Sequence, residues 1–146
     1  PICSFCSLER RVIHKEPVGL IVGKNHPFVH RSSVPIEDLR DERFIVYIRS
    51  FRGTNQMLYD LCAPYGFEPN IAMEAYNDYG VLNSVASGDG IAIIPTTRFL
   101  ERPDVVRIPL DLKEPLMRDL TLIWRKNEKL PPAAAAFRDM LISTAQ

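Results

Sequence analysis

The sequence predicts an α/β fold in which helices cover the faces of a sheet. Segments typical of strands and helices alternate as strand, helix, strand, helix, strand over residues 44–94, which makes two overlapping, right-handed crossover units. Residues 91–94 (IAII) are apolar without alternation, as in a parallel strand covered on both faces. The chain has 146 residues, of which 46% are hydrophobic and 25% charged, so it is long enough for one domain with its own core.

The first elements follow from local composition. Residues 17–23 form an apolar run bounded by Pro17 and by a turn signal at residues 25–27, which predicts a buried strand. Residues 33–40 carry an early proline and acidic residues, which favours a short helix. Residues 44–48 (FIVYI) are β-branched or aromatic and predict the next strand.

Two amphipathic helices flank a further strand. The first has its apolar stripe at Met57, Leu58, Leu61, Cys62 and Tyr65. We expect Thr54 or Asn55 to cap this helix and Gly66 to follow its end. Asn70–Ala75 is the next predicted strand. The second helix has its stripe at Val81, Leu82, Val85 and Ala86, with a cap near Asn77 or Asp78 and an end at Gly88.

The last third of the chain predicts a mixture of elements. Residues 96–100 are a possible short helix, and residues 105–110 and 120–124 are predicted strands. Residues 131–132 (PP) open a final helix with Phe137 and Met140 on its apolar side.

The charge distribution disfavours nucleic-acid and membrane binding by this chain. Eighteen basic residues face eighteen acidic ones, with nine and eight in residues 1–73 and nine and ten in residues 74–146. Neither half is basic enough for a nucleic-acid surface. No apolar run approaches the roughly 20 residues that span a bilayer. The first residues do not have the pattern of a secretory signal, so we expect such a signal to be absent or already removed.

The cysteines and histidines predict neither a metal nor another cofactor. Cys3 and Cys6 form a C-x-x-C pair, but the histidines do not repeat a zinc spacing and no second pair is present. Three cysteines cannot all pair, which favours a reducing compartment.

Two loops at the expected carboxyl edge of the sheet carry the candidate binding residues. One loop contains Ser50, Arg52, Gly53 and Thr54. It places a guanidinium beside the expected start of a helix, and both groups attract an anion. Residues 76–79 (YNDY) add Asn77 and Asp78 between two tyrosines, and residues 95–97 offer hydroxyl groups at the same edge. The alternative is that these residues are ordinary helix caps and solvated arginines. The sequence contains no nucleophile elbow, Walker loop or dinucleotide fingerprint, so an enzyme is disfavoured.

The chain resembles the effector-binding domain of LysR-type bacterial transcriptional regulators. The matching segments are EPVGLIVGKNHPF (16–28), VPIEDLRDERFIVY (34–47), YGFEPNIAMEA (65–75), VLNSVASGDGIAIIP (81–95) and VVRIPL…LTLIWRKNEKLPPAAAAFRDML (105–141). The family's helix-turn-helix domain and the first strand-helix stretch of its lobe one are absent, so we expect an N-terminally truncated regulator.

The resemblance implies a type 2 periplasmic-binding-protein-like fold with a doubly wound sheet in each of two lobes. Residues 25–118 would form lobe two, and residues 1–24 and 119–146 an incomplete lobe one. It also implies that a small effector lies between the lobes and contacts Ser50, Arg52, Gly53, Thr54, Asn77 and Asp78.

The function implied by the resemblance is the sensing of a small anionic metabolite by a cytoplasmic regulator. The partners would be the effector, further copies of the regulator in a dimer or tetramer, and DNA through a helix-turn-helix domain outside this chain. The alternative is one lobe of a solute-binding protein of a transport system, although three cysteines that cannot all pair argue against a secreted protein. With lobe one incomplete, we expect its apolar helix face to be exposed, and the chain either to associate through that face or to order it poorly.

Overall fold

The structure is a computed structural model that describes residues 8–48, 52–96 and 102–145, with the side chains of residues 52–54 outside the description. The strands and helices, in chain order, are β1 (Leu8–Gly23), β2 (Arg43–Tyr47), α1 (Arg52–Cys62), β3 (Asn70–Ala75), α2 (Asp78–Ser87), β4 (Ala92–Pro95), β5 (Val105–Ile108), β6 (Met117–Arg125) and α3 (Pro132–Thr144). Short 3-10 helices lie at Pro27–His30, Ile36–Leu39 and Ala63–Tyr65.

The chain divides into two units, and the larger one, Pro17–Leu116, has the strand order β3-β2-β4-β1-β5. β2 and β3 are parallel, with Tyr47 opposite Ala75. A parallel bridge between Phe44 and Ile91 joins β2 to the start of β4, and β1 lies antiparallel between β4 and β5. The carboxyl ends of β2, β3, β4 and β5 therefore meet at one edge. β4 is parallel to β2, as the sequence predicts, but it is antiparallel to its other neighbour, β1.

Alternate strand residues of the larger unit face two separate apolar clusters, one on each face of the sheet. In β2, Phe44 and Val46 belong to the cluster that contains Leu58 of α1, whereas Ile45 and Tyr47 belong to the cluster that contains Val81 of α2. This period of two is the geometry of a strand covered on both faces. The two helices therefore cover opposite faces of the sheet. Both of them begin at the same edge of the sheet.

The smaller unit, in its described part, consists of residues 8–16 and 117–145. β6 pairs with β1, and Arg118 forms an ion pair with Glu16. None of the described residues of this unit is buried, and α3 exposes 57% of Phe137 and 52% of Met140.

Most predicted elements are present, with altered bounds. β1 begins at Leu8 rather than at residue 17, and the helix expected at residues 33–40 is the 3-10 turn Ile36–Leu39. The helix expected at residues 96–100 falls on residues 97–100, outside the described residues, and on Thr96, which is not helical. The boundaries between the units lie before Pro17 and after Leu116 along the chain. The sequence analysis placed them after residues 24 and 118. The first boundary differs because residues 17–23 pair with β4 and β5 of the larger unit's sheet.

Candidate functional site

The starts of α1 and α2 lie at the same edge of the larger unit. α1 follows the carboxyl end of β2, and α2 follows the carboxyl end of β3, the parallel neighbour of β2. In sheets of this type, the carboxyl edge is where loops and helix N-termini collect around ligands. The structure thus brings together the two chain segments that the sequence singled out.

Asn77 begins α2 as a side-chain cap. Its backbone is extended, and its Oδ1 accepts a hydrogen bond from the Gly80 N–H at 2.9 Å. Gly80 fits closely at this turn, because a Cβ there would lie 3.1 Å from the Cβ of Ala75. Asn77 thereby satisfies one of the unpaired N–H groups of the first turn, as the sequence predicts.

Asp78 is the first residue of α2, and its carboxylate accepts a hydrogen bond from the Tyr47 hydroxyl. A carboxylate in the first turn is favoured by the positive end of the helix dipole. Tyr47 is the last residue of β2 and is buried on the α2 face of the sheet. This hydrogen bond fixes the start of α2 against the end of the neighbouring strand.

Asn55 joins α1 to the same strand end. Its side-chain amide donates to the Tyr47 carbonyl at 2.6 Å. Tyr47 therefore connects the starts of both helices, through its carbonyl to α1 and through its hydroxyl to α2. Sequence reasoning missed this role of Tyr47, although its position at the end of an alternating strand places it on the α2 face.

The expected cap of α1 was wrong. The helix begins at Arg52, so Thr54 and Asn55 lie inside its first turn rather than before it. An N-cap lies outside the helix it caps, and the Asn55 side-chain amide instead contacts the strand before the helix, at the Tyr47 carbonyl. Arg52, Gly53 and Thr54 form the first residues of α1 with their side chains outside the described residues, and Ser50 lies wholly outside them.

Two tyrosines flank Asn77 and Asp78. Tyr76 is 78% exposed and Tyr79 is 72% exposed. The edge therefore offers aromatic surface next to a carboxylate and two helix N-termini, a combination of apolar contact and polar handles that suits a small organic ligand.

Thr96 does not contribute a free hydroxyl to this edge. Its Oγ1 donates to the Pro17 carbonyl at 3.0 Å, and its backbone N–H donates to the same oxygen at 2.7 Å. The hydroxyl that the sequence suggested for a ligand thus holds β4 to β1. Thr97 lies outside the described residues.

His26 and Cys62 have contacts that are typical of a structural role. His26 lies in a turn, where its Nδ1 accepts from the Phe28 N–H at 3.3 Å. Cys62 is buried, and this burial raises the pKa of its thiol to about 11. Among the described residues, no group of three or more histidine, cysteine or acidic side chains is arranged to hold a metal. Cys3 and Cys6 lie outside that part of the chain.

Comparison with known proteins decides the family. The model of the family described as the LysR substrate binding domain matches residues 3–146. The chain belongs to this family. The LysR effector-binding domain is thereby favoured over the lobe of a solute-binding transport protein.

The relatives of this LysR domain are transcriptional regulators. The transcriptional dual regulator GltC of Bacillus subtilis is 26% identical over 141 residues, which cover 95% of this chain and 46% of GltC. AlsR, an HTH-type transcriptional regulator of the same organism, is 32% identical over 133 residues, which cover 90% of this chain and 44% of AlsR. The chain thus spans less than half the length of either regulator.

Solved structures of LysR effector-binding domains have the same fold as this chain. This fold is periplasmic-binding-protein-like. The regulatory domain of CcmR from Synechocystis PCC6803, in complex with 2-PG, has a TM-score of 0.85 at 20% identity over 98% of this chain and 69% of that chain. The effector binding domain of QuiR, in complex with shikimate, has a TM-score of 0.85 at 22% identity over 99% of this chain and 68% of that chain. The predicted fold is confirmed. In the described part of this chain, no helix is both long and apolar enough to cross a membrane.

Proposed function

We propose that this LysR domain senses a small anionic metabolite for a DNA-binding transcriptional regulator, and that the metabolite binds at the edge where α1 and α2 begin. The residues proposed to contact it are Ser50, Arg52, Gly53, Thr54, Asn77 and Asp78. The observation that carries the proposal is the attachment of both helix starts to Tyr47, through Asn55 and Asp78.

The chemistry of this edge supports a ligand with both a negative charge and hydroxyl groups. The N–H groups at the start of α1 and the guanidinium of Arg52 are donors for a carboxylate or phosphate. The Asp78 carboxylate can accept from a ligand hydroxyl beside the Tyr47 bond, and Tyr76 and Tyr79 supply exposed apolar surface. Shikimate, the ligand of the QuiR domain, is a hydroxylated carboxylate and so belongs to this chemical class.

Binding would act on the rest of the regulator by changing populations. A ligand that binds one arrangement of a dimer or tetramer more tightly shifts the equilibrium towards it by that difference in affinity. DNA contact would come from a helix-turn-helix domain elsewhere in the protein, in the cytoplasm. The proposed role needs neither an enzymatic reaction nor a cofactor.

The test is calorimetry on the intact regulator with a panel of small carboxylates that begins with shikimate. We expect one or more of them to bind, and Arg52→Ala to weaken binding by about 1.5–3 kcal/mol, because a charge-assisted hydrogen bond is lost. The matched control is Arg31→Ala, which removes an exposed arginine that pairs with Asp38. Equal affinities of the Arg52 variant and the wild type, or no binding by any carboxylate, would contradict the proposal.

A further inference from the structure

A cavity of about 190 Å³ lies in the larger unit, beside the interior of β1 and the carboxyl end of β5. Its lining residues are Pro17, Val18, Gly19, Arg107, Pro109, Leu110, Leu112, Pro115 and Leu116. None of them belongs to α1, to α2 or to the residues proposed for the effector. An apolar cavity of about 150 Å³ is known to hold benzene, so this one has room for a compact molecule of roughly six to ten non-hydrogen atoms.

Backbone hydrogen bonds hold the walls of this cavity in place. The Val18 N–H donates to the Leu116 carbonyl at 2.8 Å, and the Pro17 carbonyl accepts both hydrogen bonds from Thr96. On the opposite wall, the Val34 N–H donates to the Pro109 carbonyl at 3.0 Å. Because the walls are already fixed, a ligand would not have to order them, which lowers the entropic cost of binding.

Arg107 is the charged residue of this otherwise apolar lining. Its side chain is exposed, and the described residues provide it with no carboxylate, whereas Arg31, Arg102 and Arg118 each pair with one. The guanidinium therefore has donors available for an acceptor from outside the chain.

Gly19 determines where the Arg107 side chain lies. A Cβ on Gly19 would be 3.1 Å from Cγ2 of Thr96, 3.3 Å from Nε of Arg107 and 3.6 Å from Cγ of Arg107. The arginine thus lies across β1 at a position without a side chain, with its guanidinium beside the cavity. A planar guanidinium over an apolar wall matches a carboxylate with a hydrocarbon body.

We propose that this cavity binds a small monocarboxylate, with its carboxylate on the Arg107 guanidinium and its hydrocarbon against Pro109, Leu112 and Pro115. This binding site is separate from the effector edge, and the proposal does not depend on the proposed function.

The first test is a titration of the 146-residue chain with cyclopentanecarboxylate, followed by amide shifts in NMR spectra. We expect saturable shifts centred on Gly19, Leu110 and Leu112, and binding of the uncharged cyclopentanecarboxamide at least tenfold weaker. Equal affinities for the acid and the amide would overturn the proposal, as would shifts centred on Asn77 and Asp78 instead.

The second test uses variants under the same titration. Arg107→Gln should weaken acid binding at least tenfold, Arg107→Lys less, and Gly19→Ala should weaken it because the new Cβ displaces the guanidinium. The control is Lys113→Gln, which removes the same charge from an exposed residue outside the lining and should leave affinity unchanged. If Lys113→Gln weakens binding as much as Arg107→Gln, general charge attraction explains the result and the proposal fails. If Arg107→Gln impairs folding, the lysine variant and the acid-amide comparison still decide.

Discussion

The Tyr47 hydroxyl donates a hydrogen bond to the Asp78 carboxylate, although 31 positions separate the two residues in sequence. This contact links the end of β2 to the start of α2, while the carbonyl of the same tyrosine receives the Asn55 amide of α1. The candidate effector edge is thus held together by one residue that lies beneath it in the sheet.

Tyr47→Phe should lower the free energy of unfolding by about 0.5–1.5 kcal/mol, because the ring stays buried while the hydroxyl bond to Asp78 is lost. Urea unfolding followed by far-UV circular dichroism measures the change. Tyr59→Phe is the matched control, since Tyr59 is an exposed residue of α1. Equal effects of the two substitutions would show that the Tyr47–Asp78 bond adds no stability.

Gly88→Ala should destabilise the chain by about 1–2 kcal/mol, because Gly88 ends α2 in the left-handed region at a φ of 85° and a Cβ is strained there. The neighbourhood of Gly88 is open, so the cost comes from the backbone and not from a clash. Gly88→Asn should cost less, since asparagine tolerates this conformation better. Thermal unfolding of the two variants distinguishes them, and an alanine variant as stable as wild type would contradict the expectation.

Asp104→Asn should change how the free energy of unfolding depends on pH at acid pH. Arg102 hydrogen-bonds Asp104 and holds the pKa of that carboxyl below its ordinary range. A carboxyl with a lowered folded-state pKa stabilises the fold above its unfolded-state pKa, about 3.9, and this contribution is lost as the pH falls further. Wild-type stability should therefore decrease more steeply below about pH 4 than that of the variant.

The control for this pH dependence is Asp89→Asn, at a partly exposed residue of the turn after α2. Urea midpoints measured between pH 2 and pH 6 compare the three proteins. Identical pH profiles for the Asp104 variant and the wild type would mean that the Arg102 contact does not persist in solution.

Cys62 should resist alkylation in the folded protein. The thiolate is the reactive species, and with a pKa of about 11 only about one thiol in a thousand is ionised at pH 8. In a Cys3→Ser/Cys6→Ser background, iodoacetamide should modify Cys62 only in denaturant, as measured by mass spectrometry. Rapid modification without denaturant would place the thiol at the surface.

Local signals in the sequence were sufficient for some elements and not for others. The bounds of β3 and α2 agree with expectation because Asn77 and Gly88 mark the ends of α2 with their own side-chain and backbone preferences. The start of α1 was missed because it depends on the tertiary contact from Asn55 to Tyr47. The first half of β1 was missed because its charged residues do not alternate and its partner, β6, lies about a hundred residues away.

The shared edge of the two helix starts was predictable from the sequence, but the contacts that support it were not. Strand order along the chain indicated that both helix starts share an edge, since parallel strands end together. Which hydroxyl or amide pairs with which carbonyl depends on side-chain directions that composition does not encode. Thr96 illustrates this, because its hydroxyl serves the Pro17 carbonyl instead of the edge.

The described part of the smaller unit contains no buried residue. We therefore expect fluorescence and circular dichroism to report different unfolding steps. The chain has a single tryptophan, Trp124, which lies in β6 with the Arg138 guanidinium 5.6 Å from its ring. A segment without buried apolar contacts opens at low free energy, well below the cost of unfolding a packed sheet. Tryptophan fluorescence should therefore report the loosening of β6 and α3 at low urea. The part of the far-UV circular dichroism signal that comes from α1 and α2 should change only at higher urea. A fluorescence midpoint taken alone would understate the stability of the larger unit, in which both proposed binding sites lie.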